Sequence, residues 1–253
     1  MYETMMNNDI LFFVKFGEQH HMKQLANGEV YFSNAGNFIK QENEQLQKGQ
    51  RDAFEGRMNI LVSNAKIFHP DTNEFICELP NVKLNLGFEF VENMPLFCIT
   101  AVYKEDCISI NDKEFIIKFS EEKENIIRTH FKKATTALVI KQPDSFIENV
   151  NQAFNTYCHA ETVKYFDTSI MTKDRLIYLS TGRLDNIELS NFGMTTDNIF
   201  RQLYCKDIFF ILQSEFRFVV PKLQIQKPQI FKIKMEPECK LFTLNEFFNA
   251  IKI

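Results

Sequence analysis

Tryptophan is absent from the 253 residues, and glycine is scarce, at 8 positions. The glycines form neither G-x-x-x-x-G-K nor G-x-G-x-x-G, so phosphate-cradling loops of the P-loop or Rossmann kind are not expected. No G-x-S-x-G turn exposes a serine nucleophile, which argues against an α/β-hydrolase. The six cysteines (Cys77, Cys98, Cys107, Cys158, Cys205 and Cys239) include no C-x-x-C pair, and several sit in apolar runs such as LFCIT. With His20, His21, His69, His130 and His159 scattered, no zinc spacing exists. Excess basic charge is missing too: the net charge is −4, so non-specific coating of nucleic acid is not indicated. No apolar run is long enough to span a bilayer, and MYETMMNNDILFF lacks the pattern of a secretory leader. These absences predict a reduced, cytoplasmic protein with no membrane association.

What is abundant is phenylalanine, with 27 residues, inside an ordinary globular balance of 45% hydrophobic and 25% charged residues. Composition alone does not make the phenylalanines a binding signal. Strand-like runs are ILFFVKF, EVYFS, MNILVSNAKIF, NEFICEL, VKLNLGFEF, PLFCITAVY, KEFIIKFS, TALVIKQ, YCHAETVKYF, RLIYLST and FFILQSEFRFVV, with two more expected in the tail. Helical patterns interrupt them. GEQHHMKQLANG stops at Asn27-Gly28, and Ser33 is expected to cap the helix that follows. SEEKENIIRTHFKKA carries acids early and bases late, Pro143 opens another helix, and TLNEFFNAIKI starts with a capping signal. Strands outnumber helices without regular alternation. The expectation is an α+β fold, a single domain over residues 1–253 with a mixed or mostly antiparallel sheet and short flanking helices.

Three stretches carry candidate chemistry. The loop QKGQRDAFEGR concentrates Arg51, Asp52, Glu55 and Arg57; it reads as a solvated turn with weak ion pairs or as charges closing over a ligand. HHMKQLANGEVYFS delivers Tyr31 and Ser33 to one strand face with His21 nearby; Tyr31 is either a half-buried core aromatic or a ring that stacks on a flat ligand. In FFILQSEFRFVV, read as one strand, Gln213, Glu215 and Arg217 share a face, while Phe216, Phe218 and Val220 point to a core. Glu215 then either holds Arg217, or presents a carboxylate that binds a ribose hydroxyl and stabilises positive charge at an anomeric carbon.

Gln213-Ser214-Glu215 resembles the Q-x-E motif of mono-ADP-ribosyltransferases, in which the second acid is catalytic. LIYLSTGR, with Ser180 and Thr181, is similar to the hydrophobic-Ser-Thr-Ser strand of that superfamily, except that Gly182 stands for the last Ser. The family's early-strand arginine has no clear counterpart; Arg57 and Arg128 are candidates. A second registration resembles the His-Tyr-Glu branch, with His20 or His21, then Tyr31, then Glu215. The order LANGEVYFS, DAFEG, QSEFR also resembles uncharacterised bacterial and phage proteins, which implies a setting in phage–host conflict or antiviral defence. These resemblances imply an NAD-dependent transferase. Glu215 and Gln213 would be catalytic, and Tyr31, His21, Ser33, Ser180 and Arg57 would bind NAD. The acceptor would be a protein or a nucleic acid, with net charge favouring protein. The competing expectation is a non-catalytic inhibitor or sensor that contacts a phage or host protein.

Overall fold

Apolar alternation and aromatic content lay down the strands of this chain, and their partners are mostly distant in sequence. The computed structural model describes residues 10–45, 56–111, 114–184, 195, 197–235 and 239–253, the side chains of 41–45 excepted. Arg51, Asp52 and Glu55 therefore lie outside the described residues. In order, the elements are β1 (Ile10–Gly17), α1 (Gln19–Ala26), β2 (Glu29–Phe32), α2 (Ala35–Gln45), β3 (Met58–Phe68), β4 (Phe75–Leu86), α3 (Glu89–Glu92) and β5 (Leu96–Tyr103). They continue with β6 (Cys107–Asn111), β7 (Glu114–Ile117), α4 (Glu121–His130), β8 (Thr136–Ile140), α5 (Pro143–Gln152), β9 (His159–Thr162), β10 (Lys164–Phe166) and α6 (Lys173–Thr181). The last are β11 (Cys205–Asp207), β12 (Glu215–Val219), β13 (Gln229–Lys232), β14 (Cys239–Thr243) and α7 (Leu244–Phe248).

The fold is α+β. Its centre is a six-stranded sheet in the order β14-β8-β1-β5-β12-β9, antiparallel at every pairing. Period-two alternation sorts the side chains. On one face Phe13, Phe97, Phe216 and Phe218 pack with Phe146 of α5 in a ring cluster, Phe13 and Phe216 having centroids 4.8 Å apart. Much of the phenylalanine is thus core aromatic packing, worth about 0.5–1.5 kcal/mol per pair beyond area burial. On the other face, Phe12, Val14, Phe16 and Val139 meet Ile127 of α4 and Phe247 of α7. In a separate cluster, Leu96 and Val219 meet Tyr178 and Leu203.

Local signals place the helices. Ser120 accepts from Lys123 N at the start of α4, which has Glu121, Glu122 and Glu124 in its first turn and Arg128 and His130 in its last. Pro143 opens α5, and Thr243 with Glu246 forms a capping box on α7. Gly28, at φ 83°, follows α1 in the left-handed region where glycine is favoured.

Several expected boundaries are corrected. LIYLST is the body of α6, not a strand: Thr172 accepts from Arg175 N at 3.2 Å, and Gly182 ends the helix at φ 74°. A short apolar run between polar flanks does not distinguish strand from helix by pattern alone. FFILQSEFRFVV is two elements: a 3₁₀ turn over Ile208–Gln213, then β12 after Ser214 in the left-handed region at φ 45°. NEFICEL and VKLNL are one strand, β4, running through Pro80-Asn81, while the following FEF enters α3. The α2 cap is Asn34, whose Oδ1 accepts from Asn37 N at 2.8 Å; Ser33 instead bridges Leu96 through its backbone.

Candidate functional site

The site begins with a turn. Asp207 caps the 3₁₀ segment by accepting from Phe209 N. Ser214 then reverses the chain, its carbonyl accepting from Ala101 N at 2.8 Å and its hydroxyl from Lys123 Nζ at 2.9 Å. Tyr165 Oη accepts from Glu215 N at 2.9 Å. This scaffolding fixes the start of β12 and presents Glu215 and Arg217 on the sheet face opposite Phe216 and Phe218.

Glu215 is buried and clamped. Arg217 Nε donates to its Oε1 at 2.6 Å, and Lys206 Nζ to its Oε2 at 2.7 Å. Burial alone would push this carboxyl up. The adjacent Arg217 and Lys206 charges, with hydrogen bonds from Arg217 and Cys98, hold it well below the usual carboxylate range. Lys206 also donates to Gln213 Oε1 at 2.9 Å. The Gln213 amide must therefore turn Nε2 toward His130, and His130 Nδ1, 2.8 Å away, accepts. Burial and nearby Lys206 push His130 down, favouring the neutral ring this bond requires.

Beside this cluster the sheet opens. The β1–β5 ladder ends at Val14–Thr100, although β1 runs on to Gly17 and β5 starts back at Leu96. In the gap Lys15 Nζ donates to the Cys98 carbonyl, replacing a strand partner. A cavity of about 150 Å³ forms there, lined by Lys15, Cys98, Thr100, Lys206, Gln213, Glu215 and Arg217, with Val14, Phe16, Phe38, Ile99 and Phe131 as apolar walls. Burial pulls Lys15 down, the nearby Cys98 thiol and Glu215 carboxylate oppose it, and Lys206 adds to it. Burial and the Glu215 carboxylate push the Cys98 thiol up, so it is a donor rather than a nucleophile.

The predicted residues divide. Glu215 and Gln213 come together, though through a turn and a bridging lysine rather than along one strand. The others do not line the cavity. Tyr31 on β2 is 55% exposed and lies opposite Ile230 of β13. His21 is exposed on α1, its ring centroid 3.8 Å from that of His20. Ser33 is buried and accepts from Asn37 Nδ2 at 3.0 Å. Ser180 donates to carbonyls of its own helix, Leu176 and Ile177, as helical serines do. Arg57 pairs with Glu92 at 3.0 Å, and Arg128 with Glu124 at 2.8 Å. The His-Tyr-Glu registration is thus not assembled at this cavity.

Sequence reading missed Lys15, Lys206, His130 and Cys98. The usable signal was a lone lysine inside an apolar run, in ILFFVKF and in YCKDIFF. A lysine embedded there must find a buried partner or a cavity. Among the described residues no group of His, Cys, Asp and Glu is arranged to hold a metal ion, and no helix is long and apolar enough to cross a membrane. No protein-family model, curated protein or solved structure matches the chain.

Proposed function

We propose that this chain is an NAD-dependent ADP-ribosyltransferase whose working carboxylate is Glu215, acting in phage–host conflict. One observation carries the reading: a carboxylate held ionised on a rigid strand forms the wall of a cavity and shares a lysine with Gln213. When the C–N bond between nicotinamide and ribose breaks, positive charge develops at the anomeric carbon. A pre-ionised Glu215 stabilises that charge without reorganising. Gln213 orients the acceptor nucleophile. The cavity is smaller than the roughly 300–1,000 Å³ of sites that enclose a whole ligand, so it takes one portion of NAD while the rest lies toward its open side.

The test is NAD binding by calorimetry, alongside nicotinamide release, for wild type and Glu215→Gln. The expected result is saturable binding by both proteins, with release reduced on the order of 10²–10³-fold by the substitution. Tyr31→Ala, remote from the cavity, should leave both unchanged. No binding at millimolar NAD, with Glu215→Gln only lowering the melting temperature, overturns the reading.

One observation favours a non-catalytic binder as the second reading. The β3–β4 hairpin leaves Leu61, Phe68, Phe75, Ile76, Leu79 and Leu84 exposed, an apolar surface of the kind used for protein contacts. On that reading Glu215 only ties the sheet to Lys206 and Arg217, and the contacted partner is a phage or host protein.

A further inference from the structure

The cavity between β1 and β5 is lined by three cationic side chains, Lys15, Lys206 and Arg217, and one carboxylate, Glu215. Glu215 has two close ion-pair partners, Arg217 and Lys206. Lys15 has no carboxylate within ion-pair distance among the described residues; its Nζ donates to the Cys98 carbonyl and sits 5.0 Å from the Phe97 ring. An ammonium carries three donors. At Lys15 one is used by Cys98, which leaves two; at Lys206 two are used, by Gln213 and Glu215, which leaves one. Buried or half-buried donors are expected to meet an acceptor, and an uncompensated ammonium in a low-dielectric recess is costly.

From this geometry we propose that the cavity is a binding site for a phosphate-type oxyanion, held by the ammonium groups of Lys15 and Lys206. Its volume is of the right order: a water site needs roughly 10–15 Å³, so about 150 Å³ admits one tetrahedral oxyanion with a few waters. Thr100, also on the wall, offers a hydroxyl that either donates or accepts. Burial lowers Lys15 and Glu215 opposes that shift, so an arriving anion strengthens the protonated state and binding takes up protons where Lys15 is partly neutral. The site does not depend on NAD cleavage. The anion is either free phosphate or the phosphate of a nucleotide.

The experiment is calorimetric titration of the full chain with inorganic phosphate, pyrophosphate and ADP-ribose at low ionic strength. The proteins are wild type, Lys15→Met, Lys15→Arg and, as a control, Lys232→Met at an exposed position of β13. Wild type is expected to bind at least one probe saturably. Lys15→Met should weaken that binding tenfold or more, Lys15→Arg should restore most of it, and Lys232→Met should leave it unchanged. Tighter binding of ADP-ribose than of pyrophosphate assigns the anion to a nucleotide; the reverse order assigns it to free phosphate. If Lys15→Met does not fold, acylation of wild-type Lys15, followed by mass spectrometry, should be slowed by the bound probe. Wild type binding none of the probes, binding indifferent to Lys15→Met, or acylation unaffected by probe overturns the site. Phosphate binding without NAD binding or nicotinamide release leaves the site standing while the transferase reading falls.

Discussion

Two buried lysines flank the Ser214 turn, and they live differently. Lys123, from α4, places Nζ 2.8 and 2.7 Å from the two oxygens of Asp106 and 2.9 Å from Ser214 Oγ, so all three donors have partners. It lines no part of the cavity. Lys206, from β11, divides itself between Glu215 and Gln213 and faces the cavity with a donor left. Both pairs are nearly equally removed from solvent, at 6% and 8% side-chain exposure for Lys123 and Asp106 against 4% and 9% for Lys206 and Glu215. Burial therefore does not separate structural from functional charge here. Completeness does: the Lys123 pair is closed, and the Lys206 cluster is open on one side.

Breaking the closed pair should have the largest effect. Asp106→Asn strands the buried Lys123 ammonium and weakens the acceptor used by Tyr103 N. It should cost about 3–5 kcal/mol, measured by urea denaturation. Glu215→Gln should cost less, roughly 2 kcal/mol, because water in the cavity can reach the cations it abandons. It should also change the pH profile. Glu215 titrates below its ordinary value of 4.5 in the folded protein. Its stabilising contribution is thus fully present above that value and is lost as pH falls toward the lower folded value. In Glu215→Gln the acid limb of stability below about pH 4.5 should flatten, and an unchanged limb would assign acid unfolding to other carboxylates.

The same contrast explains what could be read in advance. The α+β class, the antiparallel sheet, the charge order of α4, the cap of α7 and the inward Phe216 and Phe218 follow from alternation, charge placement and local capping, which act over a few residues. Glu215 was identifiable as an acid breaking an apolar run. The helix at α6 was not, because Leu176 to Leu179 is apolar at every position and the deciding signals, Thr172 and Gly182, sit at its ends. Ser214, where the chain turns into β12, is held by Lys123 from ninety-one positions away. Likewise Lys15 meets the Cys98 carbonyl eighty-three positions away, and Lys206, though only nine positions before Glu215, sits on a different strand, so no local pattern reports either partner. Tyr31 carried a functional reading because an aromatic beside a helix end looks the same whether it stacks on a ligand or, as here, stands half exposed on a small sheet.

Smaller effects sharpen the comparison from the other side. Lys15→Met removes a half-buried cation with no carboxylate in ion-pair range among the described residues, leaving an apolar stem of similar length against Phe97. It should therefore stabilise the ligand-free protein, by about 1 kcal/mol, because the desolvation cost disappears and only one hydrogen bond is lost. A loss of stability would mean that the Cys98 carbonyl depends on this lysine more than the strand gap implies. Arg128→Ala gives the baseline. Its partner Glu124 lies one helical turn away on α4, and both side chains are about a third exposed, at 39% and 30%. Solvent screening leaves such a pair worth about 0.3–0.5 kcal/mol. The contact of Arg128 with the Phe248 ring at 4.5 Å adds on the order of 0.5 kcal/mol. A total near 1 kcal/mol, falling with added salt, fits an exposed pair. A loss as large as that of Asp106→Asn would show that closure around the charge, and not its place on α4, fails to set the energy.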